Sequence, residues 1–376
     1  MIKRRLTSLV NQRMNDNKAI IILGPRQSGK TTLVKELVEG SGKKFLWLSG
    51  DETDIRQLLS NPTSTRLKSI LGKNKMLVID EAQRIENIGL CIKLVKDHIP
   101  GVKVIATGSS SFELANKINE PLTGRKWEFF LLPFSFSEMS AHHGVLDEKR
   151  LLQQRIIYGY YPEVVNNAGD ETPRLKQLAD SYLYKDILTW ERIQKPERLE
   201  KLVQALALQI GNEVSYHELG QLTGLDNETV EKYVDLLEKA FIVFRLQSFS
   251  RNMRNELKKS RKIYFYDNGL RNAVINQFSL PELRNDKGAL WENFLMTERL
   301  KYLHYEGIAA SRYFWRTHAQ QEIDYVEERN GELSAFEFKW KAKSKELFPK
   351  SFLNAYPGSK TTTITADSFE NFLGVR

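Results

Sequence analysis

The sequence predicts a multidomain α/β protein whose first part is built on a parallel sheet. Three observations carry that expectation. Through the first 140 residues, short apolar runs alternate with helical patterns. The first apolar run leads straight into a glycine-rich turn. At 376 residues the chain is longer than one ordinary core absorbs. With 41% apolar and 27% charged residues, the composition is that of a globular chain rather than a disordered one.

The first strand is Ala19 to Ile22, four consecutive apolar residues of the kind buried on both faces. It opens into "GPRQSGKTT", which fits G-x-x-x-x-G-K-T at Gly24, Gly29, Lys30 and Thr31. "TTLVKELVEG" then reads as a helix closed by Gly40. Strand, glycine loop and helix form the context in which this spacing cradles phosphates. The loop Gly24, Pro25, Arg26, Gln27, Ser28 and Gly29 and the helix start at Lys30, Thr31 and Thr32 are the expected nucleotide contacts. Backbone N–H groups and the helix N-terminus converge on the anion. Lys30 reaches the β and γ oxygens, and the Thr31 hydroxyl ligates Mg²⁺.

A second buried strand, Met76 to Ile79, ends in Asp80 and Glu81. An acid in the Asp80 position holds the magnesium, and the next acid orients the water that attacks the γ-phosphate. The pair leans toward hydrolysis of ATP, so ATP and Mg²⁺ are the expected cofactors. Further strands are read at residues 43–50 and 102–111. The second of these ends in small polar residues where a γ-phosphate sensor sits. Ser109 is taken for that role, with Thr107 and Ser110 equally placed.

These residues resemble the AAA-type ATPase domain of the archaeal-ATPase-like family. The matching pieces are "LGPRQSGKTTL", "LVIDEAQ", "ATGSSS", "LTGR" and "LLPFSFSE", spread over roughly residues 1–140. The resemblance implies an ASCE-type sheet with a strand inserted between the two nucleotide motifs. It also draws attention to Arg125. That residue is either a finger on the γ-phosphate, in cis or from a neighbouring copy in a homo-oligomer, or a surface arginine at a strand start.

Residues 141–196 read as a helical lid or linker. "YGYYPEV" is taken as a structural turn with packing tyrosines, similar to the G-G-Y-P-E-V of the same family. Residues 197–250 read as a winged-helix-like module: a helix, a second helix with Ser215 and Glu218 at capping-box spacing, a third helix in the recognition position, and a strand. Between Asp226 and Ala240 there are five acids and two lysines, net −3. Phosphate repels such a helix, which favours packing or a protein partner over DNA. The basic stretch "SRNMRNELKKSRK" is either a phosphate contact or a solvated connection.

Residues 251–376 form the last expected domain. "GALWENFLMTERLKYL" is a helix with Trp291, Phe294, Leu295 and Met296 as core, and it carries Glu292 among them. Asn330-Gly331 is a type I′ hairpin turn. It pairs Arg329 with Glu332, so paired residue numbers sum to 661 and Asp324 faces Glu337. The two carboxylates then lie about 4.5–5.5 Å apart at Cβ, with Lys339 on the same face. Phe336, Phe338 and Trp340 point to the other face. Opposed like charges need a cation, either a divalent metal or Lys339, and Glu322 opposite Lys339 makes a plain salt bridge the alternative.

The order Glu292, Asp324, Glu337-x-Lys339 resembles the restriction-endonuclease-like PD-(D/E)-x-K fold. Carried over, the resemblance implies Mg²⁺ held by Glu292, Asp324 and Glu337, with Lys339 positioning or deprotonating the attacking water. No proline precedes Asp324, a departure from the pattern. The ATPase family commonly carries a C-terminal domain with "YFYDNGL", "WEN", "EIDYV" and "FEFK", so the two resemblances together cover nearly the whole chain.

The net charge of +9 suits a nucleic-acid partner and equally suits a diffuse basic surface. One cysteine, Cys91, points to a reducing compartment. No apolar run reaches the ~20 residues of a membrane span. The expectation is a soluble cytoplasmic protein with no membrane partner. Two functions follow: an ATP-driven machine with a metal nuclease, or an ATP-driven switch whose C-terminal half binds protein or nucleic acid without cutting. A small-molecule kinase leaves two-thirds of the chain unexplained.

Overall fold

The computed structural model describes residues 2–109, 118, 121–181, 196–250, 260–341 and 348–375. The chain divides into two compact units, Met1–Phe134 with Lys239–Phe241, and Ser135–Glu238 with Ile242–Arg376.

The first unit holds a five-stranded sheet of β1 (Ala19–Leu23), β2 (Phe45–Ser49), β3 (Met76–Asp80), β4 (Lys103–Gly108) and β5 (Lys126–Phe130), in the order β2-β3-β4-β1-β5. Every pair is parallel. β4 therefore lies between the strands that carry the two nucleotide motifs. β1, β3 and β4 are buried along their whole length, while the edge strands β2 and β5 are half-exposed. This is why β1 and β3 read as unbroken apolar runs instead of alternating ones. Helix α1 (Lys30–Gly40) follows β1 and buries Leu33, Val34, Leu37 and Val38. In such a sheet ligands gather at the carboxyl ends of the strands.

The second unit holds a six-stranded mixed sheet of β6 (Val243–Ser248), β7 (Arg261–Phe265), β8 (Ser311–Arg316), β9 (Glu322–Arg329), β10 (Glu332–Phe338) and β11 (Lys360–Ile364), ordered β11-β10-β9-β8-β6-β7. The expected helices of the middle segment are α2 (Pro196–Leu208), α3 (Tyr216–Thr223) and α4 (Asn227–Lys239). Ser215 caps α3, its side chain accepting from Glu218 N. The expected boundary at residue 250 does not hold. β6 pairs antiparallel with β7 and parallel with β8, so one sheet runs through both expected domains. The acids of α4 face partners of their own: Asp235 and Glu238 meet Arg245 on β6, and Glu231 lies 3.7 Å from Arg261 on β7. The stretch 251–259 within the basic segment lies outside the described residues.

The family-like motifs of this unit lock its frame. Asp267 caps the helix Asn268–Val274 through Leu270 N and also accepts from Tyr160 N at 2.7 Å. An added Cβ at Gly159 would overlap the Asp267 carboxylate. Asn293, on α5 (Lys287–Tyr305), accepts from Phe265 N and donates to Phe265 O and to Asn268 Oδ1. "YGYYPEV", "YDNGL" and "WEN" thus meet in one buried knot.

The hairpin has the expected register. Asn330 and Gly331 have φ of 51° and 81°, as a type I′ turn requires. Pairs from Glu332↔Arg329 to Phe336↔Tyr325 all follow the 661 rule. The ladder stops there. β9 is irregular against β8 between Tyr313 and Trp315, and β10 runs on alongside β11, with Glu337 opposite Thr363.

Candidate functional site: a phosphate loop with an acid pair, and a second cluster of acids

The loop after β1 is shaped for close approach by a ligand. Gly24 lies so near the chain leaving β5 that a Cβ there would overlap the Leu131 carbonyl oxygen. Gln27 and Gly29 take φ of 57° and 93°, a run of left-handed residues that turns N–H groups inward. Lys30 is buried, and its ammonium donates to Gly24 O at 2.9 Å and Pro25 O at 2.7 Å. Burial pulls its pKa down to about 8, against the attraction of Glu81 and Asp80. The ammonium thus rests on the loop's own carbonyls, an environment that an anionic phosphate would improve.

Asp80 ends β3 beside this loop. Its Oδ2 accepts from Thr31 Oγ1 at 2.9 Å, and its Oδ1 accepts from Thr107 Oγ1. A hydroxyl and a carboxylate oxygen side by side, next to a phosphate cradle, fit Mg²⁺, which takes one or two protein oxygens and completes its shell with phosphates and water. Glu81 sits in the left-handed region at φ 49°, with its N–H donated to Thr107 Oγ1 at 3.2 Å. Gln83 Nε2 donates to Glu81 Oε2 at 2.5 Å and to Ser109 Oγ at 2.9 Å.

Lys30, Thr31, Asp80, Glu81 and Ser109 therefore converge, but Ser109 meets Glu81 through Gln83, while Thr107 touches Asp80 directly. Ser110 lies outside the described residues. Arg125 fits the second of its two readings, an arginine at a strand start. Its carbonyl accepts from Ala19 N, at the start of β1, and its guanidinium pairs with Asp97 at 2.9 Å. The glycine loop is at the other end of β1, about 16 Å along the strand. Arg125 cannot reach a nucleotide held by its own loop. Sequence reading missed Thr107 as an Asp80 partner, Gln83, and Arg4. Arg4 is buried and donates to Ser28 O at 2.7 Å and Leu132 O at 2.5 Å, bracing the loop against the end of β5. Two adjacent arginines at positions 4 and 5 carry no signal that would single it out. Cys91 is buried, and burial pushes its thiol up to about 12, which removes it as a nucleophile.

In the second unit the expected metal ligands gather, but around lysines. Glu337 Oε2 accepts from Lys339 Nζ at 2.8 Å, and Lys339 lies 3.7 Å from Asp324. Asp324 Oδ2 also accepts from Phe338 N at 2.7 Å. Burial, and then the charge of Asp324, push the Glu337 carboxyl up. Glu292, on α5, accepts from Tyr264 Oη at 2.6 Å and from Lys262 Nζ at 3.1 Å. Burial lifts Glu292 to about 7, opposed by Lys262 and reinforced by Asp324. Among the described residues no group of three or more His, Cys, Asp or Glu side chains is placed to hold a metal ion. The expected triad of Glu292, Asp324 and Glu337 does not fit Mg²⁺ in this structure, because Glu292 is taken by Lys262 and Tyr264. Glu322 pairs with Lys262 and Arg316.

Residues 16–140 match a family model described as an AAA domain. Residues 149–280 and 287–371 match two models described as domains of unknown function, DUF8612 and DUF4143. An uncharacterized protein of Mycobacterium tuberculosis is 25% identical over 344 residues, covering 90% of this chain and 74% of that protein. An uncharacterized protein of Haemophilus influenzae is 26% identical over 284 residues, covering 68% of this chain and 69% of that protein. Among solved structures, the Walker-type ATPase of Pyrococcus abyssi superposes with a TM-score of 0.50 at 14% identity, over 73% of this chain and 96% of that one. At that identity the likeness concerns fold. The family match and the fold support an AAA-type P-loop ATPase domain at residues 16–140. No helix among the described residues is long and apolar enough to cross a membrane.

Proposed function

We propose that the first unit binds ATP with Mg²⁺ and hydrolyses it, and that the second unit is a non-cleaving binding module switched by that cycle. The observation that carries the first half is the contact Thr31–Asp80–Thr107, with Glu81 next in sequence at the mouth of the same loop. Thr31 and Asp80 would hold the magnesium, and Lys30 would neutralise the β and γ oxygens. Glu81 would take the proton of the attacking water. A small-molecule kinase would leave the second unit unexplained and give Glu81 no role.

The second half is supported by Lys262, whose ammonium engages Glu292 and so takes one acid out of the ligand set expected for a metal nuclease. A partner of this unit is a protein or a nucleic acid. The net −3 of α4 disfavours nucleic acid there, and the overall +9 keeps nucleic acid in play elsewhere. We place the protein in the cytoplasm.

Purified chain with Mg²⁺ should release phosphate from ATP. Glu81→Gln should retain binding of a fluorescent ATP analogue and lose turnover by about 100-fold or more, the scale of a lost general base. Unchanged turnover in that variant removes Glu81 from the mechanism.

A further inference from the structure

Gln83 lies two residues past Glu81, on the short helical turn Ala82–Arg84 that follows β3. It is 3% exposed. A single nitrogen, Nε2, donates both to Glu81 Oε2 at 2.5 Å and to Ser109 Oγ at 2.9 Å. Ser109 follows β4, the parallel neighbour of β3, and is fully buried. The amide therefore bridges the carboxyl ends of two adjacent strands. The residue before Ser109 touches the phosphate loop: Gly24 N donates to Gly108 O at 3.2 Å.

The chemistry fixes which way the amide faces. A carboxylate only accepts, so the NH₂ group and not the carbonyl meets Glu81. That group carries two hydrogens, one for each of its two acceptors. Ser109 Oγ accepts from Gln83, so its own hydrogen is directed to another acceptor. A γ-phosphate oxygen held by the adjoining loop is an acceptor of that kind. The backbone of Glu81 is pinned separately, its N–H on Thr107 Oγ1 at 3.2 Å and its carbonyl accepting from Arg84 N at 3.1 Å. What Gln83 holds is the side chain. With Oε2 engaged, taking a proton from water falls to Oε1.

We propose that Gln83 is a positioning residue that couples Ser109 to Glu81, so that a γ-phosphate bound at Ser109 sets the orientation of the carboxylate that activates water. This rests on the reading of the first unit as an ATPase, and binding tests it as well as turnover.

The test titrates fluorescent ADP and a fluorescent non-hydrolysable ATP analogue, each with Mg²⁺, into the full chain. The wild type should prefer the triphosphate. Gln83→Met keeps the volume and removes the donor. It should cut that preference about tenfold, the scale of a hydrogen bond to a charged group, and leave ADP affinity within about twofold. Phosphate release should fall at least about tenfold, because the base is no longer oriented. Ser109→Ala should lose the same preference, and the double variant should lose no more than either single one, since residues acting as one unit are not additive. If Gln83→Met fails to fold by circular dichroism, Gln83→Asn carries the same expectations, because its amide is one methylene too short to reach both acceptors. A wild type without preference for the triphosphate overturns the proposal. So does a preference that Gln83→Met leaves unchanged, a parallel loss of ADP affinity, or a double variant that adds the two single losses. A preference lost in Gln83→Met without phosphate release by the wild type defeats the ATPase reading, while the link from Ser109 to Gln83 stands. Turnover that Gln83→Met does not change defeats the coupling alone.

Discussion

Replacing Lys30 by methionine removes an ammonium that the fold holds at a cost. The group is 5% exposed and rests on Gly24 O and Pro25 O. Burial brings its pKa from an ordinary 10.5 down to about 8. A displacement of that size corresponds to about 3 kcal/mol. The folded pKa lies below the unfolded one, so between about pH 8 and 10.5 the unfolded chain binds more protons. Stability therefore rises with pH through that window, and the full cost is present below it. Urea unfolding of the wild type and of Lys30→Met, followed through the first unit's transition, isolates this group because other titrations cancel in the difference. From pH 7.5 to 9.5 the wild type should gain about 2 kcal/mol relative to the variant. A bound phosphate should recharge the lysine, so binding of an ATP analogue near pH 9 should take up close to one proton, read by calorimetry in buffers of different ionisation heat. A stability difference that stays flat over this range, or binding without proton uptake, refutes the picture of a buried ammonium waiting for phosphate.

Three further outcomes are expected. Gly24→Ala places a methyl into the Leu131 carbonyl, so the variant should lose about 1–3 kcal/mol of stability by urea unfolding and most of its affinity for the nucleotide analogue. Arg125→Ala should leave turnover unchanged in dilute, monomeric protein, and its lost pair with the half-exposed Asp97 should cost less than about 1 kcal/mol. A fall in turnover that appears only at high protein concentration would assign Arg125 to a neighbour's nucleotide. Gly331→Val forces a β-branched residue to φ 81°, so the second unit should unfold about 1–3 kcal/mol more easily, while phosphate release by the first unit persists.

The sequence by itself determined whatever is contiguous. The strand Ala19–Leu23, the loop to Gly29 and the helix from Lys30 lie within a few residues of one another, so their phosphate geometry is written in local backbone preference. The same holds for the hairpin, whose register follows from two residues, Asn330 and Gly331, that accept positive φ. Only the tertiary structure decided which side chains meet across elements. Strand order put Thr107 on Asp80, and put Arg125 at the far end of β1 from the phosphate loop. It also joined β6 to the sheet that the sequence assigned to a separate domain. Lys262 shows the limit most sharply. Its partners Glu292 and Glu322 lie 30 and 60 positions away, on a helix and a strand, and no spacing rule relates them. Local preference acts over a few residues, whereas a buried charge is settled by whichever oxygens the packed elements bring within about 3 Å.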